Sequence, residues 1–255
     1  MRPTRALSLL TSLAVGAGFV LLWQYVADAK LVSPVFLPGP DRAWAALVAG
    51  FESGALADKW LGTVERMIYG WFFASLLGIM LGAAIGVSAQ ARAYFGPLLE
   101  CIRPLPASAV VPLAIAVLGL TEGMILAVIS FGALWPMLLA TVHGFSAVEP
   151  RLYEVSRALN FSRWDFIRKI ALPSSMPDIL AGMRFGLTVA LILSVVGEML
   201  SSRDGLGNWI LLASRSFRTP DLYAGIILLG VTGFASAMLL SAAEAHLLRW
   251  RANAH

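Results

Sequence analysis

The sequence predicts an all-α membrane protein with about six transmembrane helices and a cytoplasmic helix-turn-helix segment. Of its 255 residues, 58% are hydrophobic and 13% are charged, and the mean hydropathy is +0.78. A soluble domain of this size cannot bury so much apolar surface. Windows of about 20 apolar residues, enough to cross a bilayer as a helix, occur within one domain, 1–255, at 6–26, 67–89, 98–119, 123–143, 179–200 and 222–247.

The first span could be mistaken for a cleaved leader. It follows Arg2 and Arg5, and residues 27–29, Ala-Asp-Ala, resemble a signal peptidase site. Its apolar run is longer than the roughly 7–15 residues of a signal sequence. Trp23 and Tyr25 also suit the aromatic belt at a membrane interface. We therefore expect a retained span.

The second span carries a small residue at every fourth position. These residues are Gly70, Ala74, Gly78, Gly82 and Gly86. In lipid, such a face lets a neighbouring helix approach closely and gain van der Waals contact. We therefore assign Gly78, Gly82 and Gly86 to helix packing. The sequence leaves open whether the neighbour belongs to the same chain or to a second copy.

The third span is interrupted by prolines. Arg103 is followed by Pro104, Leu105 and Pro106, and a proline-broken helix can line a pathway because its freed carbonyl groups need polar partners. Arg103 is therefore a candidate pathway residue, although it lies three residues after Glu100 and could simply neutralise it. The single cysteine, Cys101, lies in an apolar stretch and is expected in the core.

A second candidate pathway residue is Glu198, near the end of the fifth span and beside Gly197. An acidic residue inside the membrane is costly without a partner. It could face a translocation pathway or lie in a helix interface, and the sequence does not choose between them.

Basic residues indicate the orientation, because they concentrate on the cytoplasmic side. An inside N terminus puts Arg2, Arg5, Arg92, Arg151, Arg157, Arg163, Arg168, Lys169, Arg249 and Arg251 inside, against Lys30, Arg42, Lys59, Arg203, Arg215 and Arg218 outside. This bias predicts cytoplasmic N and C termini. It also places residues 150–173 in the cytoplasm.

Residues 150–173 read as two short helices joined by a turn. Apolar residues at 152, 155 and 159 follow helical spacing, and Asn160 tolerates the left-handed conformation that ends many helices. Ser162 with Asp165 resembles a capping box, so the second helix should start near Arg163. Pro173 should close it, because the residue before a proline favours extended geometry.

This spacing resembles the EAA loop of permease subunits in bacterial ABC importers, Glu-Ala-Ala, three residues, Gly, nine residues, Ile-x-Leu-Pro. Val and Ser replace the two alanines and Asn replaces the glycine. The resemblance implies a coupling helix, Glu154 to Leu159, that inserts into a groove of a cytoplasmic ATPase. The residues assigned to this coupling are Glu154, Val155, Ser156, Ala158, Leu159, Asn160, Ile170, Leu172 and Pro173.

Almost the whole chain resembles the importer permeases for nitrate, sulfonate, taurine and related small solutes. The matching pieces are Leu-Pro-Gly-Pro at 37–40, Arg-Pro-Leu-Pro at 103–106, Gly-Glu-Met at 197–199 and Gly-Leu-Gly at 205–207. The resemblance implies a type I importer permease of the bacterial inner membrane that carries a small organic or inorganic anion. It also implies a second copy of the chain, two ATPase subunits, and a periplasmic or surface-anchored solute-binding protein.

The sequence argues against several other functions. A P-loop needs Gly directly before its Lys, whereas the three lysines follow Ala, Asp and Arg. We therefore expect no catalytic residue, metal site or cofactor in this chain, and ATP use by a partner. No basic run with interleaved aromatic residues indicates nucleic-acid binding.

One alternative function remains, an ion-gradient-driven secondary transporter with Glu198 or the Glu100 and Arg103 pair as its ion site. Such folds usually contain repeated halves, and we find no clear duplication here.

The outer segment 31–58, with Asp41 as an expected N-cap, could contact the binding protein or lie on the membrane surface.

Overall fold

The computed structural model describes residues 5–102 and 104–249, with backbone only for residues 5–9. In this part of the chain all regular structure is helical. The helices are α1 (Arg5–Asp28), α2 (Pro40–Glu52), α3 (Ala55–Val87), α4 (Ala89–Ile102), α5 (Val111–Leu118), α6 (Glu122–Ser146), α7 (Pro150–Ala158), α8 (Arg163–Phe166), α9 (Leu172–Ser201), α10 (Leu206–Arg215) and α11 (Thr219–Leu247). A 3₁₀ turn, Ala107–Val110, precedes α5, and a π turn, Ile167–Ala171, joins α8 to α9.

Five of the described helical segments are long and apolar enough to cross a membrane: Leu10–Asp28, Ala55–Val87, Glu122–Ser146, Arg163–Ser201 and Thr219–Leu247. A bent pair, α4 followed by residues 107–118, makes a sixth if the two helices count as one span. Several helices extend past the predicted spans. The physical reason is that hydropathy windows detect the lipid-exposed length, whereas backbone hydrogen bonds continue the helix into water.

The predicted span 98–119 is not one straight helix. Its first helix begins earlier, at Ala89, and ends at Ile102, and the next helical turn starts at Ala107 with an axis bent by 81°. Pro104 and Pro106 lie in this break, and a proline cannot donate to the helical hydrogen-bond ladder. Cys101 is exposed on α4, so the expectation of a core position was wrong.

The chain divides into two compact units, and α3 and α11 contribute residues to both. The first unit comprises residues 1–61 and 204–230. Its small core contains Leu56, Leu206 and Leu228. The indole of Trp23 donates to the Pro38 carbonyl oxygen at 3.0 Å and lies 5.4 Å from the Tyr223 ring.

In the same unit, helix α2 begins at Pro40 with Gly39 as its N-cap. The prediction of Asp41 as the cap was therefore wrong. A proline at the first helical position needs no N–H partner, which favours this earlier start.

The second unit comprises residues 62–203 and 231–255, and α6 lies between α3 and α9 in it. The small-residue face of α3 packs on α6 of the same chain. A Cβ at Gly78 would meet Met137 Cβ at 2.9 Å, one at Gly82 would meet the Leu138 carbonyl oxygen at 2.8 Å, and one at Gly86 would meet Phe145 Cβ at 2.6 Å. These glycines therefore have no room for a side chain.

Helix α9 packs on α6 in the same manner. A Cβ at Gly182 would lie 3.0 Å from the Pro136 carbonyl oxygen, and one at Gly186 would lie 3.1 Å from that of Ala133. Small residues thus let α6 approach two neighbouring backbones closely. The surrounding core contains Met124, Ile125, Val128, Ile129, Met137, Ala190 and Leu193.

Candidate functional site

The coupling segment, residues 150–173, begins with α7 and a tight turn. Pro150 occupies the first helical turn, where its missing N–H costs little. Asn160 has φ +52°, the left-handed conformation that the sequence predicted. The Asn160 N–H donates to the Arg157 carbonyl oxygen at 3.0 Å and the Phe161 N–H donates to that of Ser156 at 2.9 Å. This pair of bonds is a Schellman motif, and it satisfies carbonyl groups at the helix end.

The second half of the segment starts as predicted but does not end as predicted. Ser162 caps α8, because its Oγ accepts from the Asp165 N–H at 3.1 Å and donates to Asp165 Oδ2 at 2.6 Å. The prediction that Pro173 closes this helix was wrong. Leu172 is helical, with φ −63° and ψ −49°, and α9 continues to Ser201.

The π turn before α9 explains why Pro173 is tolerated. Hydrogen bonding changes register between Ala171 and Leu172, so Pro173 is the second residue of a newly started helix. First-turn N–H groups have no partner within their own helix, and a proline there loses little. Sequence reasoning had no signal for this change of register.

The residues assigned to coupling fall into two groups in the structure. Glu154, Val155, Ala158, Leu159 and Asn160 are exposed, and 59% of Leu159 is accessible. They form a surface that a partner protein can reach.

The remaining assigned residues maintain the shape of the segment. Ser156 is buried and its hydroxyl donates to the Tyr153 carbonyl oxygen at 2.8 Å. Ile170 and Leu172 pack on a core that includes Phe145 and Phe166, and Pro173 is half-buried. Ser156 therefore supports the shape of α7, and its assignment to coupling stays a prediction.

Sequence reasoning missed Trp164. Its side chain is 69% exposed at the start of α8. A large aromatic residue within a polar segment is the signal that would have indicated it, because exposed tryptophans are enriched at protein interfaces. The coupling segment also carries four exposed arginines: Arg151, Arg157, Arg163 and Arg168.

A cavity of about 550 Å³ lies in the second unit next to the helix break. It is lined by Leu105, Ala107, Gly132, Trp135, Pro136, Leu139, Ala140, Ala181, Gly182, Phe185 and Val189. These side chains are apolar, and the positions on α6 lie near the middle of that helix. Irregular backbone at membrane depth is tolerated where it is buried in protein or lines a water-filled cavity. We call this space the break cavity.

The two predicted pathway residues lie elsewhere. Arg103 falls outside the described residues, and the side chain of Glu100 is exposed. Glu198 is completely buried, and it accepts a hydrogen bond from Arg66 Nη1 at 2.8 Å and from Thr63 Oγ1 at 3.0 Å. Glu198 therefore lies in a helix interface, the second of the two positions that the sequence allowed, and does not face an open pathway in this conformation.

Other charged pairs in the second unit were not foreseen. Arg184 on α9 pairs with Glu244 on α11.

In the described residues no group of three or more His, Cys, Asp or Glu side chains is placed to hold a metal ion.

Comparison with known proteins identifies the family. A family model described as binding-protein-dependent transport system inner membrane component matches residues 74–252. A putative aliphatic sulfonates transport permease of Bacillus subtilis is 32% identical, over 94% of this chain and 87% of that protein. The taurine transport system permease of Escherichia coli is 30% identical over 96% and 91%, and a nitrate import permease of Leptolyngbya laminosa is 27% identical over 85% and 80%.

Solved structures give the same fold. The MetNI methionine ABC transporter, in an inward facing conformation, matches with a TM-score of 0.63 at 18% identity over 76% of this chain and 94% of that chain. An amino acid ABC transporter matches with a TM-score of 0.62 at 16% identity, over 80% and 97%. With its coupling segment and membrane helices, this chain belongs to the family of binding-protein-dependent transport system inner membrane components, the permease subunits of ABC importers.

Proposed function

We propose that this permease carries a small anion of the sulfonate, taurine or nitrate class. Relatives whose names state these solutes align with 85–96% of the chain. The observation that carries the importer mechanism is the coupling segment. Its exposed apolar side chains lie on two short helices, the first ended by a Schellman turn and the second started by a serine cap. A partner that moves this segment would move α6 and α9, because α6 enters the segment and α9 leaves it.

We infer that the working assembly contains two copies of this chain, two cytoplasmic ATPase subunits and a solute-binding protein on the outer face. The family functions with an ATPase and a binding protein, and the subunit numbers follow from the resemblance. ATP would be bound and hydrolysed by the partner, and this chain would bind no cofactor and catalyse no bond chemistry. The basic residues support an orientation with both termini in the cytoplasm, and the family resemblance supports a location in the bacterial inner membrane.

The break cavity supports a pathway for a solute with an apolar part. Its volume is in the range of small-molecule sites, and its lining includes Trp135, Leu139 and Phe185. Burying one methylene group against such a surface contributes about 0.8 kcal/mol. An aliphatic or aromatic sulfonate can use this contribution, whereas nitrate cannot. We therefore favour an organic sulfonate over an inorganic anion.

The relatives give no support to the ion-gradient alternative, and the chain carries a coupling segment that such a transporter would not need. Uptake into vesicles that contain the permease, its ATPase and its binding protein would separate the two mechanisms. We expect uptake of a labelled alkyl sulfonate to require ATP and to survive collapse of the ion gradient. Uptake that follows the gradient without ATP would contradict the proposal.

A charge reversal tests the coupling segment directly. Glu154→Lys in the tagged chain should lower the amount of ATPase that is co-purified from native membranes by about tenfold. The reason is that the reversed charge would face a surface of the ATPase that is complementary to a carboxylate. Glu52→Lys is the matched control, since Glu52 is equally charged and exposed on α2. Equal ATPase recovery with both variants would remove the coupling assignment.

A further inference from the structure

Glu198 needs a permanent cationic partner. Among the described residues, it is the only charged residue with no exposed surface. It lies at the end of α9 that is far from the coupling segment. A carboxylate taken out of water is costly unless its charge is paired and its oxygens are hydrogen-bonded. Arg66 bonds one oxygen and Thr63 bonds the other. Both partners come from one face of α3, so α3 and α9 are held together at this end.

Arg66 also binds a second carboxylate. Its Nε donates to Glu122 Oε2 at 2.8 Å and its Nη2 donates to Glu122 Oε1 at 3.0 Å. This is a two-pronged pair of the kind that guanidinium and carboxylate groups favour. One arginine on α3 therefore joins the first residue of α6 to the buried carboxylate on α9.

The two contacts of Arg66 differ in how easily they can separate. The exposed fraction of the side chain is 0% for Glu198, 14% for Arg66 and 48% for Glu122. Separating Arg66 from Glu198 would leave a buried charge without its partner, which is strongly unfavourable. Separating Arg66 from Glu122 lets water replace the partner of a half-exposed carboxylate, and exposed ion pairs contribute little.

The contact with Glu122 holds a turn that has few other attachments. Residues 116–120, at the end of α5 and in the turn before α6, are all exposed, whereas Val111 at the start of α5 is fully buried. Gly119 has φ +68°, a conformation that glycine adopts without strain. Arg203, just after α9, donates from Nη2 to the Leu120 carbonyl oxygen at 2.9 Å. Two arginines thus hold the connection between α5 and α6, Arg203 at Leu120 in the turn and Arg66 at the first residue of α6. We call this set the arginine clamp (Arg66, Arg203, Glu122 and Leu120).

Helix α5 follows the helix break, and the 3₁₀ turn that precedes it contributes Ala107 to the break cavity. Residues 107–118 form one continuous helical segment, so a rotation of this segment that displaces the free end of α5 would also displace Ala107 in the cavity wall. We propose that Arg66 is a positioning residue for transport. Its contact with Glu122 holds the end of α5 in the conformation seen here and opens in each transport cycle, while its contact with Glu198 stays closed.

The test uses Glu122→Gln, which removes the charge and keeps the shape. The complete importer, permease with ATPase and binding protein, is placed in lipid nanodiscs, and ATP hydrolysis is measured without solute. If the clamp holds the resting conformation, weakening it raises the population of the active conformation, and hydrolysis should increase about threefold. The melting temperature of the permease should be unchanged, because an exposed ion pair contributes little to stability. If the contact were merely structural, its loss would lower the melting temperature and would not raise hydrolysis.

The matched control is Asp221→Asn, which removes an exposed ion pair with Arg218 within one helical turn and leaves the clamp intact. We expect hydrolysis at the wild-type rate. Hydrolysis at or below the wild-type rate in Glu122→Gln, or the same increase in Asp221→Asn, would overturn the proposal. If Glu122→Gln does not assemble, Arg203→Met removes the other contact of the clamp without touching Glu198. The same increase is expected there, and its absence would also overturn the proposal.

A thiol probe measures the movement itself. Ile115 lies on α5 and is partly buried against the core of the second unit, and Ile115→Cys in a Cys101→Ser background gives one reactive thiol. A membrane-impermeant maleimide should label this thiol several times faster when Glu122→Gln is added, because the end of α5 then leaves its contacts. Equal labelling rates would contradict an opening of α5.

Discussion

The two ends of α6 and α9 use charged and apolar side chains in opposite ways. At the coupling segment, Leu159 and Trp164 are exposed, and so are the four arginines of the same segment. At the other end, Glu198 is buried and hydrogen-bonded by Arg66 and Thr63. Exposed apolar groups are retained where a partner covers them, whereas a buried charge is retained where it fixes one arrangement of helices. The first end is suited to receiving force and the second to holding helices in register.

The largest expected effect lies at the buried end. Arg66→Ala removes the cationic partner of Glu198, so the free energy of unfolding in detergent should fall by about 3–5 kcal/mol. Thermal unfolding followed by tryptophan fluorescence measures this loss. Arg218→Ala is the control, because its ion pair with the partly exposed Asp221 and its position over the Trp209 ring should together contribute less than about 2 kcal/mol.

A second substitution distinguishes a lost pair from a lost side chain. Adding Glu198→Leu to Arg66→Ala removes the unpaired carboxylate and should restore part of the stability. An apolar residue there leaves no buried charge to compensate. If the double variant is no more stable than Arg66→Ala, burial of the Glu198 charge is not the cause, and the contrast between the two ends loses its physical basis.

A smaller effect, and of a different kind, is expected at the coupling segment. Leu159→Asp places a charge on an exposed apolar position, so stability should change by less than about 0.5 kcal/mol. Binding of the ATPase should weaken by about 2 kcal/mol if Leu159 is a buried anchor of the interface. Sedimentation or pull-down titration of the ATPase measures this affinity. A large loss of stability with normal ATPase binding would reverse the comparison.

The smallest effect is expected at the turn of the coupling segment. Asn160→Ala retains the turn but puts a Cβ without a polar side chain at φ +52°, which costs about 1 kcal/mol. Asn160→Gly should be neutral or slightly stabilising, because glycine adopts this conformation freely. Amide hydrogen exchange of α7 reports the difference. Equal protection in both variants would show that the left-handed turn does not limit the stability of the segment.

Features with local causes were predicted well from the sequence. Asn160 ends a helix and Ser162 starts the next one, because each acts on backbone groups within a few residues. The membrane class follows from apolar content, and the packing face of α3 follows from the four-residue spacing of its glycines. The family resemblance rested on the same local spacing, and the family match bears it out.

Other features depended on groups that are distant in sequence. Pro173 was predicted to end a helix, but a π turn lets α9 start just before it. Ser156 was assigned to a partner surface, yet it is buried. Both differences arose because one segment was considered without the helices that pack on it.

The sequence by itself determined that this chain crosses the membrane several times, that a polar segment separates two of its helices, and where that segment turns. Only the tertiary structure decided that the glycines of α3 contact α6, that an apolar cavity lies next to the helix break, and that Glu198 is neutralised by Arg66, 132 residues away. The physical reason is distance along the chain. Caps, turns and hydropathy act over a few residues, whereas packing partners and buried ion pairs are selected only when distant helices come together.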